Sequence, residues 1–224
     1  REIMFKNYLK TALRNIFKYK GYTFINISGL AVGLAMFILL AVIVGFDTEA
    51  DRFHQNSDRI YSVIQVLPSV QQEEKHTAFT PNPMLKALQN EFPEIEQGTR
   101  AFLADKIIVK YRDKIFYENR MMFTDPNFLS VFSFDLIKGD PSQALAEPFS
   151  IVLSKDMAKK YFGDSDPMGK VLTLDNNINV TVKGVLDFID DNYSSLYFES
   201  LISLETAPYF EKWANDWKTN KLAT

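Results

Sequence analysis

The chain contains no cysteine. That excludes a disulfide framework and a thiol nucleophile, so the fold must stand on its apolar core alone. Histidine is scarce too: His54 and His76 are the two present, and neither has metal-ligand spacing. Both are expected at the surface, in polar stretches. No G-x-S-x-G nucleophile turn occurs. Gly169-Lys170 superficially suggests a phosphate-binding loop. The glycine required five positions earlier is Asp164, however, and Val171 replaces the hydroxyl residue. Asp187, Asp190 and Asp191 cluster, but without the alternating ligands and glycine of a calcium loop they read as a solvated turn. Low-complexity tracts, short-period repeats and long linkers are also missing. These absences leave little that could catalyse a reaction, and they point to no enzyme, no cofactor and no metal.

What the chain does have is an apolar run. Phe24 to Phe46 extends for 23 positions without an ionisable side chain. At about 1.5 Å per residue, a helix of this length slightly exceeds the roughly 30 Å hydrocarbon core of a bilayer. A buried helix of a soluble protein rarely stays apolar on every face for so long. The run is also too long for the h-region of a signal peptide, follows a twenty-residue basic preface, and precedes no A-x-A site. It is expected to span a membrane.

The flanks orient it. Arg1, Lys6, Lys10, Arg14, Lys18 and Lys20 stand before the run against Glu2 alone, while Asp47, Glu49 and Asp51 follow it before Arg52. An excess of Lys and Arg places the N-terminal side in the cytoplasm and the remainder outside it. Six of the 25 bases and one of the 28 acids precede the run, leaving 19 bases against 27 acids, a net charge near −8. An acidic exterior segment argues against nucleic acid as a partner.

The preface carries a pattern of its own. Lys6, Lys10, Arg14 and Lys18 recur every fourth residue and form one stripe of a helix. Phe5, Leu9, Ala12, Leu13, Ile16 and Phe17 form a second, apolar stripe. A basic amphipathic helix joined to a span is expected in the inner interface, with its cations meeting the anionic headgroups of the lipid bilayer. Within the span, Gly29 and Gly33 make a GxxxG match that would let a second helix approach closely.

Past residue 46, strand and helix periodicities alternate, so the fold class is α+β. Strands are expected over Arg59–Val66; over Lys106–Tyr111 and Ile115–Phe123, a hairpin about Arg112-Asp113-Lys114 in which Ile115, Tyr117, Asn119, Met121 and Phe123 alternate with their neighbours as a strand with one buried face does; over Phe149–Leu153; over Lys170–Leu174 and Asn179–Leu186, a hairpin around Asp175-Asn176-Asn177; and over Phe198–Leu204. Helices are expected from Asn82-Pro83, with Leu85, Leu88 and Phe92 inward; from Asp125-Pro126, holding Phe128, Leu129 and Phe132; and from the Ser154 cap to Gly163. The expected organisation is a cytoplasmic amphipathic helix at 1–20, a spanning helix at 21–46 and an extracytoplasmic domain at 47–224. That domain is expected to form two α+β lobes, about 47–145 and 146–204, divided around Gly139–Pro148.

The stretch from Met4 (MFKNYLKTALRNIFKYKGYTFINISGLAVGLA) and the later Asp51-Arg52-Phe53-His54 with Asp58-Arg59-Ile60-Tyr61 resemble the start of MacB/FtsX-type ABC transporter permeases of the Bacteroidetes kind. Val152–Phe162, Asp166-Pro167-Met168-Gly169-Lys170 and Val182-Lys183-Gly184-Val185 are similar to that family's extracytoplasmic domain. The resemblance implies four spanning helices per unit with this domain between the first two. It also implies a cytoplasmic ABC ATPase subunit, a second permease subunit forming a dimer, and a periplasmic partner or substrate. The chain then reads as a permease fragment of the inner membrane, with a mechanotransmitting exterior domain. The rival reading is a single-span sensor whose exterior domain binds a ligand, although only about twenty residues precede the span to carry an output.

The charge asymmetry generates a test of orientation. Cysteines introduced at Asn7 and Asn127 should be labelled from opposite sides of sealed vesicles; labelling of both from one side would reverse the assignment.

Overall fold

The computed structural model describes residues 2–49, 51–67, 75–187, 194, 196–210 and 220–223. It divides into two units, one ending at Ala50 and one beginning at Asp51. The first contains α1 (Glu2–Lys18) and α2 (Lys20–Glu49), with only Tyr19 between them. Hydrogen bonds run from Tyr19 N–H to the Asn15 carbonyl and from Thr23 N–H to the Tyr19 carbonyl. The Thr23 hydroxyl donates to the Ile16 carbonyl at 3.3 Å, seven residues back. In a straight helix seven residues are about 10 Å apart along the axis, so the helix bends at this point. The hydroxyl satisfies a carbonyl that the bend deprives of its usual partner.

The second unit is built on one large sheet. Its strands are β3 (Phe79–Pro81), β4 (Ala101–Leu103), β5 (Ile107–Tyr111), β6 (Lys114–Glu118), β7 (Met121–Thr124), β8 (Leu136–Lys138), β9 (Ser150–Ser154), β10 (Val171–Leu174), β11 (Ile178–Leu186), β12 (Ser200–Ser203) and β13 (Asn220–Ala223). A separate two-stranded sheet holds β1 (Gln65–Leu67) and β2 (Lys75–Thr77). The helices are α3 (Met84–Glu91), α4 (Phe128–Val131) and α5 (Lys155–Phe162).

The spatial order β3-β13-β4-β7-β12-β9-β11-β10-β5-β6, with β8 on β11, interleaves distant parts of the chain. β12 pairs in parallel with β7 and antiparallel with β9. Strands from both sides of residue 145 therefore alternate within one sheet, and the expected contiguous division into lobes is crossed by it. The central strands explain why. β7, β9 and β12 are buried at every position. Met121 and Phe123 point into the cluster that holds α5, while Met122 points into the opposite cluster around Phe128, Phe134 and Phe198. A strand covered on both faces reads as a continuous apolar run and carries no alternation to mark its two sides.

Several expected elements are present. Ser154 Oγ accepts the Met157 N–H and caps α5, which ends at Gly163 with φ +62°. β10 and β11 form a hairpin through residues 175–177, with Asp175 and Asn176 at positive φ. β5 and β6 form a hairpin through Arg112-Asp113, with Arg112 at φ +53°.

Other expectations fail for physical reasons. The single strand over Ile115–Phe123 is two strands: β6 lies at the sheet edge and β7 near its centre. Between them the Arg120 carbonyl leaves the line to accept from Glu199 N–H. Ile115 and Tyr117, expected to share a buried face with Met121, are consequently exposed. Of the strand expected over Arg59–Val66, residues 57–59 form a 3₁₀ turn and pairing begins only at Gln65, because Tyr61 and Ile64 have no core to enter. Phe92, expected inward, is exposed at the end of α3, where Leu85 is the buried residue. Asp190 and Asp191 lie outside the described residues.

Gly139 follows β8 with φ +100°, and a side chain there would run into the Lys183 carbonyl and the Gly184 Cα. Gly139→Ala combines a disfavoured backbone with a backbone clash, so it should cost about 2 kcal/mol or more. Chemical denaturation of the two proteins checks this; an unchanged midpoint would show that β8 can move away from β11.

Candidate functional site

The N-terminal unit carries the residues singled out by charge and spacing. Lys6, Lys10, Arg14 and Lys18 all lie exposed on α1, and so do Leu13, Ile16 and Phe17. α2 has one stretch, Lys20–Gly45, long and apolar enough to cross a membrane, and none of it is buried within the chain. Gly29 and Gly33 stand one helical turn apart, and a methyl group at either would meet nothing within 4 Å apart from its chain neighbours and the backbone of its own helix. The structure thus places the two glycines on an open helix surface without bringing a second helix to them.

In the domain, four polar constellations emerge that sequence spacing did not suggest. Arg100 grips Asp125 through Nε at 2.9 Å, Nη2 at 2.6 Å and its backbone N–H at 2.8 Å. The same guanidinium also donates to the side-chain oxygen of Asn82. Asn82 was expected to cap α3; instead the clasp ties the approach to α3 to the start of β4 and the end of β7. A bidentate, largely buried pair of this kind fixes geometry.

Glu118, 4% exposed, accepts two hydrogen bonds from Lys160 Nζ, at 2.7 and 2.9 Å, and one from the Tyr161 hydroxyl at 3.0 Å. Burial, and then the Glu118 carboxylate, push the Tyr161 hydroxyl far above its ordinary pKa. It stays a neutral donor, and the cluster locks α5 to β6. On another part of the sheet, Arg120 pairs with Glu199 at 3.0 Å and stacks over Tyr197 at 3.8 Å.

The fourth constellation corrects an expectation. His54, read as a surface residue, is 3% exposed. Its ring lies 4.0 Å from Phe53, 5.4 Å from Phe132 and 5.2 Å from Phe134, centroid to centroid. Burial lowers the imidazole pKa, opposed in part by the Asp51 carboxylate at 3.7 Å and by the Phe132 backbone. The polar residues around His54 in the sequence hid the aromatic ones, which arrive from α4 and its following turn. His76 is exposed, as expected. Among the described residues no group of three or more acidic or histidine side chains could hold a metal, and none of the four constellations pairs a nucleophile with a free base.

Comparison with known proteins decides the family. The profile of the MacB-like periplasmic core domain matches residues 23–220. The chain belongs to that family. A domain assigned to a permease protein from Porphyromonas gingivalis is 26% identical, with a TM-score of 0.56 over 66% of this chain and 62% of that one. The chain thus spans less than two thirds of that relative's length. The extracellular domain of the ABC-type transporter YknZ from Gram-positive bacteria shares the fold at 17% identity, with a TM-score of 0.50 over 73% of this chain and 80% of that one. No curated protein matches. The apolar helix and the MacB-like domain together make this a membrane-anchored chain with an extracytoplasmic, permease-type domain.

The buried histidine gives a pH dependence with a definite sign. The unfolded imidazole titrates near 6.5, and the folded one below that. The stability that depends on a neutral His54 is present in full above about pH 6.5 and is lost as pH falls through the lowered folded value. The gap in denaturation midpoint between pH 8 and pH 5 should narrow in His54→Phe relative to the native chain. An equal gap would show that the ring already pairs its charge.

Proposed function

We propose that this chain is the anchor and exterior domain of a MacB/FtsX-type permease, coupling ATP hydrolysis by a cytoplasmic ABC ATPase subunit to a conformational change outside the inner membrane. The observation that carries this reading is the reach of the family match, which begins at Thr23 inside the apolar helix and runs to Asn220. Anchor and domain are matched as one unit, as a mechanical link between the two requires. In this reading residues 1–20 lie on the cytoplasmic side, α2 crosses the bilayer, and the domain meets substrate or a periplasmic partner.

The bend at Tyr19 supports a transverse placement of α1. It turns the helix at the start of the apolar stretch, where Lys6, Lys10, Arg14 and Lys18 can meet anionic headgroups while Leu13, Ile16 and Phe17 face acyl chains. The open glycine face of α2 suits a neighbouring helix of the same permease or of a second permease subunit. The domain's own clusters hold elements in place and supply no activated nucleophile, which fits an element that transmits force and does not turn over substrate.

The test is Gly33→Leu in a permease that carries this segment together with its ATPase. Leucine would push away a helix packed at Gly33, so ATPase binding should persist while ATP-driven transport or signalling falls. Unchanged output would mean that Gly33 faces lipid. Substrate turnover by the purified chain alone would overturn the non-enzymatic reading.

A further inference from the structure

The second unit begins with residues 51–55, two positions past the end of α2 at Glu49. This short turn lies in no strand or helix, yet its side chains and backbone fasten it to distant parts of the domain. The Ser194 hydroxyl donates to the Asp51 carboxylate at 3.0 Å. Gln55 N–H donates to the Ser133 hydroxyl at 3.2 Å. The Phe53 ring lies 5.9 Å from Phe134, and the His54 ring meets Phe132 and Phe134 edge-on. Asp51 and Ser133 both hold a left-handed backbone, at φ +61° and +51°. Residues other than glycine keep that conformation where their surroundings fix it. The turn is also separable from what it grips. Phe128, Phe134 and Phe198 pack on one another at 5.2 to 5.9 Å without its help, and no described strand of the large sheet pairs with it. Opening it would therefore take little of the domain along.

Charge around the His54 ring is sparse. From its own turn Asp51 stands 3.7 Å from Nε2, while Arg52 is exposed. Residues 126–134, which supply α4 and the turn after it, include no ionisable side chain, and Asp135 beyond them is exposed. The approach to β12 contributes Ser194 and, behind Phe134, Phe198; Tyr197 is turned to Arg120. We propose that residues 51–55 are an acid-released buckle: a neutral His54 keeps the turn docked in the domain, and protonation of the ring frees it. The chain leaving α2 then enters the domain through a fixed turn at neutral pH and a loose one in acid. Once released, the imidazole titrates near about 6.5, the ordinary value. Docked, it holds its proton less tightly, because burial outweighs Asp51 and the Phe132 backbone. Acid therefore favours the released form, by up to about tenfold for each pH unit that separates the two values. At pH well above 6.5 neither form is protonated, and the docked one prevails.

The buckle lies within the domain and does not rest on the permease reading, and its test reads a distance instead of transport. The full chain, reconstituted in lipid nanodiscs, carries spin labels on Arg52→Cys and Ser130→Cys, both exposed positions; the native sequence has no cysteine to interfere. The distance between the labels should be narrowly distributed at pH 8, and a broad component should grow several-fold by pH 5. A second pair, Ser130→Cys with the equally exposed Lys155→Cys, lies off the buckle and should keep one distance throughout. His54→Phe leaves an aromatic ring in the cluster and should hold the narrow distribution at both pH values. Asp51→Asn keeps an acceptor for Ser194 but removes the charge that favours the cation, so release should begin at higher pH. A narrow distribution at pH 5, or the same broadening in His54→Phe, would overturn the proposal. So would broadening of both label pairs together, which is unfolding of the domain, or release in Asp51→Asn that no longer follows pH. Should His54→Phe fail to fold, the direction of the shift in Asp51→Asn decides.

Discussion

A peptide group inside hydrocarbon has no water to bond, so a chain that enters a bilayer must satisfy every N–H and C=O within itself. For a run as long as Phe24–Phe46 the available answer is a helix, and α2 provides it without a break. The constraint relaxes at the polar boundary, and that is where α1 and α2 part. Even there the freed Ile16 carbonyl is not left alone, because Thr23 supplies a hydroxyl. The basic stripe and the apolar stripe of α1 lie on the far side of this bend from the apolar run.

The exterior domain answers the same demand with a sheet. Its central strands are covered on both faces, and charged groups are admitted near the core only with their bonds made: Arg100 with Asp125, Glu118 with Lys160 and Tyr161. His54 sits in a different setting. It contributes an aromatic surface to a cluster of phenylalanines, and the cost is carried as a preference for the neutral ring. That preference couples the first residues of the domain to the acidity of their surroundings.

Local signals in the sequence were legible where the chain speaks to itself over a few residues. The Ser154 cap, the Gly163 stop and the hairpin turns at Arg112-Asp113 and 175–177 were all readable in this way, as was the apolar run. Signals failed where distant segments decide. Nothing near Met121 announces that its partner is Ser200, so β6 and β7 read as one strand and the domain read as two successive lobes. Burial of His54 depends on Phe132 and Phe134, nearly eighty positions away, and its polar neighbours in sequence pointed outward. The cations of α1 and the glycines of α2 could be chosen from spacing alone, and the chain itself brings nothing to the two glycines.

The pairing of β7 with β12 also governs when the domain can form. β7 is complete at Thr124, yet its parallel neighbour ends at Ser203. At common synthesis rates those eighty or so residues take roughly 4–16 s to appear. Until then β7, and later β9, have emerged without the strand that belongs between them, and their apolar faces are open to wrong partners. Pairs such as β4–β7, β5–β6 and, later, β10–β11 can close early, since their contacts are local. The nascent chain thus waits on its last third before its centre exists, which makes the order of emergence as much a part of this fold as its contacts.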